Sequence, residues 1–147
     1  MGGHPWWYFV PYQPDIDAAL QALKEREFKA GRYNPVMRYP AFPITPESPS
    51  PGPQHASIKE ALHSSGEDGT RSILDMESVS EAPDDTVVSP LGDHKLKELF
   101  GTTQPTHAMV EENDTVFEDL DRGEAVYIVV YEKGQPNEIF FAGYSFD

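Results

Sequence analysis

The most apolar stretches of this chain stand near its two ends, and both carry the pattern of β-strands. Trp6-Trp7-Tyr8-Phe9-Val10 lies near one end, and residues 125–131 and 138–146, joined by a short turn, lie at the other. In each run apolar side chains fill consecutive positions, so they project from both faces of a strand. Strands of that kind belong in a sheet covered on both sides. If both ends share one sheet, the segments between them must fold around it. This predicts a single α+β domain over residues 1–147, with a largely antiparallel sheet of about four strands and about four helices.

The intervening sequence supplies the helices. Asp15 is placed to cap a helix over residues 15–30, Asp17 suits its positive end, and Gly31 its left-handed stop. Ile16, Ala19, Leu20, Leu23 and Ala30 share one side of that helix, and Glu27 falls on the same side. Glu27 has two readings: a carboxylate at the rim of the domain paired with Arg32, or a partly buried group available as an acid or base. A second helix is expected within 54–66, where Ser57 and Glu60 form a capping box ahead of Ala61 and Leu62. Residues 70–79 alternate as a charged edge strand, and 81–88 read as an acidic loop. Further helices are expected from Ser89-Pro90 or Asp93 to Phe100, and from Pro105 or Thr106 to Leu120. In the last of these, Met109, Val110, Val116, Phe117 and Leu120 share a face, while Glu111, Asp114, Glu118 and Asp121 form an outward acidic stripe. Lys133-Gly134-Gln135-Pro136 is expected to turn the closing strands into an antiparallel pair.

Residues 33–53 form a proline-rich loop in which Pro40, Pro43, Pro46 and Pro49 recur every third position, followed by Pro51 and Pro53. Polyproline II has three residues per turn, so such prolines would line one ridge. The favoured reading is a stiff connector lying on the protein's own aromatic surface, against Trp6 or Trp7. The competing reading, a ligand for a proline-binding groove, lacks a basic residue between Pro40 and Pro53 to orient it.

Composition removes several classes of chemistry. There is no cysteine, which excludes disulfides, thiolate zinc sites and cysteine nucleophiles. His4, His55, His63, His94 and His107 show no metal-ligand spacing, so no metal is expected. Glycine-rich phosphate loops and a GxSxG elbow are also absent, and no cofactor is expected. Residues 118–123 lack the alternating oxygen ligands of a calcium loop. The longest apolar run, 125–131, is too short to span a bilayer, and the first residues do not resemble a signal peptide. A cytoplasmic protein without membrane contact is therefore expected. The net charge of −14 repels nucleic-acid phosphates and leaves a basic protein as the complementary partner.

Two groupings stand out as candidate sites. His4, Trp6, Tyr8, Arg32, Tyr33 and Asn34 bring polar tips beside aromatic bodies near the first strand. Arg71, Asp75 and Glu77 would align on one face of the 70–79 strand. No motif identifies a reaction. The leading expectation is a non-enzymatic module, of immunity-type or accessory regulatory role, docking a basic partner through Glu111, Asp114, Glu118 and Asp121. The alternative is a small-molecule pocket beside the aromatic strand, with Glu27 or Asp75 as acid or base and Arg32 or Arg71 holding an anion. Self-association through aromatic surface, giving a homodimer, is a third.

Overall fold

The computed structural model describes residues 3–38, 41–45 and 47–146. Its centre is a five-stranded sheet in the order β1-β5-β4-β3-β2. These strands are β1 (Pro5–Pro11), β2 (Ser78–Val79), β3 (Val87–Pro90), β4 (Ala125–Glu132) and β5 (Gln135–Tyr144). The strands near the two ends of the chain are neighbours, as their apolar patterns require: Tyr8 lies opposite Phe141 and Val10 opposite Ile139 in an antiparallel pair. β4 and β5 also pair antiparallel. Lys133 and Gly134 both take positive φ (52° and 76°) between them, the geometry of a tight two-residue hairpin.

Both faces of the sheet are covered. On the first, Trp6, Tyr8 and Val10 of β1 and Ile139 and Phe141 of β5 pack with Leu20, Leu23 and Phe28 of helix α1 (Ile16–Ala30) and with Ile73, Leu74 and Met76. Helix α2 (Ile58–Ser65) contributes Ala61 to this layer. On the second face, Val126, Ile128 and Val130 of β4 and Phe140 and Ala142 of β5 pack under Leu96 of α3 (Asp93–Phe100) and Val110 of α4 (His107–Glu111). Each fully buried aliphatic or aromatic side chain contributes about 1.5–3 kcal/mol. The helix ends follow local chemistry: Asp15 accepts the Ala18 N–H at 3.0 Å, Ser57 accepts the Glu60 N–H at 3.2 Å, and Gly31 closes α1 with φ 75°. A side chain at position 31 would also collide with the backbone carbonyl of Gly52.

Three segments differ from expectation. Residues 70–79 are a strand only at Ser78–Val79, which is indeed at the sheet's edge. Ahead of it, Ser72 accepts the Leu74 N–H and opens a 3-10 turn at Ile73–Asp75, so Arg71, Asp75 and Glu77 do not share a strand face. Residues 87–90 form β3 rather than a loop or helix start, and pair parallel with both β2 and β4, making the sheet mixed. Finally, α4 ends at Glu111. Asn113 accepts the Thr115 N–H at 2.9 Å and donates to the Leu99 carbonyl at 2.9 Å, so the chain resumes only as a 3-10 turn over Asp114–Phe117.

Pro40 and Pro46 of the proline-rich loop lie outside the described residues. In the described part, Phe42 and Ile44 are buried with Met37. The Gly52 N–H donates to Ala30 at 2.9 Å, and Arg32 Nη1 donates to Ser50 Oγ at 3.2 Å. These contacts fasten the loop to the end of α1. Among the described residues, no helix is long and apolar enough to cross a membrane.

Candidate binding cleft

A cleft of about 1100 Å³ runs along the outer edge of β1. One wall comes from α4 and the following turn, with His107, Val110, Glu111, Asp114, Phe117 and Glu118. The other comes from the end of α1 and the proline-rich loop, with Arg26, Glu27, Arg32, Ile44 and Thr45. Pro5, Trp7, Tyr8 and Phe9 of β1, with Phe140 and Tyr144 of β5, lie between the walls.

The aromatic lining is connected. Trp7 meets Phe117 edge-on at 5.8 Å between ring centroids, Phe117 meets Tyr144 at 5.9 Å, and Phe9 stacks on the His107 imidazole at 4.0 Å. Trp7, Phe9, Phe117 and Tyr144 are all only half-buried. Large aromatics partly open to solvent in a concave site are the side chains best suited to anchor a partner.

The walls differ in charge. On the α1 side Glu27 is only 1% exposed and held by two arginines. Arg32 donates to it through Nε at 3.1 Å and Nη2 at 3.0 Å, and Arg26 Nε donates at 2.9 Å. The expected pairing with Arg32 is present, but Glu27 is buried rather than riding the rim. Two guanidinium groups thus occupy three of the carboxylate's roughly four lone-pair sites with charge-assisted bonds, which suits Glu27 to a structural pairing. On the α4 side, His107 bridges two carboxylates: Nδ1 is 2.7 Å from Glu138 Oε1 and Nε2 is 2.8 Å from Glu111 Oε2. Burial alone would lower the His107 pKa, but the hydrogen bonds and charges of Glu138 and Glu111 outweigh it and raise it. The imidazolium, which donates from both nitrogens, satisfies both contacts. Asp114 and Glu118 are exposed on the same wall.

Of the acidic stripe, Glu111, Asp114 and Glu118 line the cleft, and Asp121 does not. The break at Asn113 ends any single helical stripe, yet three of its members still share one wall. Of the first aromatic grouping, Tyr8 and Arg32 line the cleft. Burial, followed by the nearby Glu27 charge, raises the pKa of the Tyr8 hydroxyl, which accepts the Ile73 N–H at 3.4 Å. The other members have structural partners elsewhere. Trp6 is buried in the core, Tyr33 Oη lies 2.9 Å from His55 Nδ1, and Asn34 Nδ2 donates to the Gly69 carbonyl at 2.8 Å. The His4 N–H donates to Ser145 Oγ at 2.8 Å.

The second grouping is dispersed. Asp75 is buried under the first face, where it accepts the Thr70 N–H at 2.7 Å and the Thr70 hydroxyl at 2.8 Å. Burial pushes its pKa up to about 6 despite those bonds. Arg71 Nη2 lies 3.9 Å from Asp68 Oδ2, and Glu77 is exposed. None of Arg71, Asp75 and Glu77 lines the cleft. Among the described residues, no cluster of three or more histidine, aspartate or glutamate side chains is placed to hold a metal ion.

Sequence reasoning missed Trp7, Phe9, Arg26, His107, Phe117 and Tyr144 as cleft residues. Alternation marks Trp7 and Phe9 as facing opposite to Trp6 and Tyr8, but not which face carries an opening. The His107–Glu138 contact joins residues 31 apart on different elements, which no local pattern reveals. No family model matches this chain, and neither a curated protein nor a solved structure matches it.

Proposed function

We propose that this protein is a non-enzymatic binding module that docks a basic protein partner in the cleft beside β1. One observation carries this reading: the acidic residues Glu111, Asp114 and Glu118 and the half-buried aromatics Trp7, Phe9 and Phe117 line the same concave surface. Carboxylates attract and orient a cationic partner, and aromatic faces hold its aliphatic and cationic side chains. The net charge of −14 adds long-range attraction for such a partner. An immunity-type or accessory regulatory role is the class of activity this supports. The competing pocket enzyme is less well supported, because Glu27 is engaged by two arginines and Asp75 is buried away from the cleft.

The test begins with a partner recovered from the native host at low salt and released at high salt. Its affinity is then measured against wild type, the triple variant Glu111→Lys, Asp114→Lys, Glu118→Lys, and the single variant Asp121→Lys. The triple variant is expected to weaken binding at least about tenfold and to flatten its salt dependence. Asp121→Lys is expected to stay within about twofold of wild type, because Asp121 lies off the cleft. Equal affinity of the triple variant and wild type sinks the reading.

A further inference from the structure

The outer edge of β1 is the base of the cleft, and its backbone carries a specific hydrogen-bonding pattern. Tyr12 donates to Asn137 at 3.0 Å and Ser145 donates to His4 at 3.0 Å. With Tyr8 opposite Phe141, these bonds mean that the even-numbered residues of β1 exchange hydrogen bonds with β5. The odd-numbered residues therefore aim their backbone groups away from β5. Pro5 and Pro11 occupy two such positions, where the missing N–H costs no ladder bond. Between them Trp7 and Phe9 present both N–H and C=O to the cleft. Among the described residues no strand pairs with that edge.

This edge is recessed. Arg32, Ile44 and Thr45 rise on one side of it, and Val110, Asp114 and Glu118 on the other. Such a trough suits an extended chain, which can pair with one edge while its alternate side chains reach the two flanking walls. Charge selects the occupant, because one flank carries the exposed Asp114 and Glu118 beside the His107-paired Glu111, and the whole chain is acidic.

We infer that the cleft binds an extended basic segment of the partner as a sixth strand, hydrogen-bonded to the backbone of Trp7 and Phe9. This rests on the docking reading above and specifies how the partner is held. The backbone bonds give affinity without sequence preference, and the acidic flank requires lysine or arginine on every second residue of the segment. A second copy of this chain is disfavoured as occupant, since two chains of like net charge would have to meet at the acidic flank.

The test is amide hydrogen exchange of the full chain, read by NMR at Trp7 and Phe9. The probe is a peptide alternating lysine with valine, about eight residues long, enough to span Pro5 to Pro11. Alone, the protein should exchange both amides rapidly. With saturating peptide, both are expected to slow by at least about tenfold, while a backbone N-methylated copy and a glutamate-valine copy leave them unchanged. If the lysine peptide shifts the resonances of Glu111, Asp114 and Glu118 in a salt-sensitive way but leaves Trp7 and Phe9 exchanging freely, strand addition is wrong and the docking reading stands. If it shifts neither group at low salt, both fail. If Trp7 and Phe9 become protected with rising protein concentration and no peptide, a second copy is the occupant and the inference is overturned.

Discussion

The two faces of the sheet are drawn from the same strands, yet the first is packed closed and the second leaves several of its aromatics half-open where it borders the cleft. The closed face meets α1, which at 15 residues extends about 22 Å, and α2 of 8 residues. The open face meets α3 of 8 residues and α4 of 5, the latter only about 8 Å long. Leu20, Ile73, Leu74, Met76 and Phe141 of the first layer are completely buried. Trp7, Phe9 and Phe117 of the second are not. Apolar side chains on the two faces thus do different work: where the covering elements are long they make a core, and where these are short they leave a lined recess.

The sharpest way to break this contrast is to truncate one aromatic from each layer. Phe141→Ala is expected to cost about 3–5 kcal/mol in urea unfolding, because the cavity it leaves is enclosed on all sides. Phe9→Ala should cost less, about 1–2 kcal/mol, since its ring is only half-buried and loses its contacts with His107 and Phe140 without opening an enclosed cavity. Equal losses would mean that the second face is as closed as the first.

Two ionisable groups extend the comparison to pH. Asp75, buried in the first layer, has its folded pKa raised from 3.8 to about 6. Between those values the folded state holds more protons than the unfolded one, so stability falls as pH rises from about 4 to 6. Asp75→Asn removes that fall. The stability difference between pH 7 and pH 4 is expected to be more favourable in the variant than in wild type, by about 2–3 kcal/mol. An unchanged difference would show that Asp75 is not a buried acid.

His107, in the open layer, acts in the same direction but in a higher pH window. Its folded pKa is raised, so its contribution is complete below about pH 6.5, its ordinary value, and is lost as pH rises through the higher folded value. The side chain is 45% exposed and its pairs are solvent-screened, so the loss should be only about 0.5 kcal/mol. In Glu138→Gln that loss should shrink, and denaturant midpoints compared at pH 6 and pH 8 test it.

The elements legible in the sequence were those whose signal is local and unopposed. The runs in β1, β4 and β5 and the Asp15 and Gly31 ends of α1 needed no distant partner to be recognised. Val87–Pro90 was hidden because four residues ending in Ser89-Pro90 resemble the entry to a helix, and only pairing with Ala125–Tyr127 makes them a strand. The helix expected to reach Leu120 failed at Asn113, whose bond to Leu99 depends on α3 being in place. Of the cleft, the acidic stripe and the aromatic strand were each visible, while their meeting across β1 was not. That meeting depends on the sheet order, which places β1 at an edge.

The prolines bounding β1 have a consequence for how these molecules behave in a crowd. An exposed strand edge is the usual template for runaway stacking of one sheet onto the next. Here one border offers two donors between Pro5 and Pro11, and the opposite border is the two-residue strand Ser78–Val79. A head-to-tail filament would need those two borders to match, and they are too unequal in length and pattern to join. Neither border offers the long, unbroken ladder that such stacking needs.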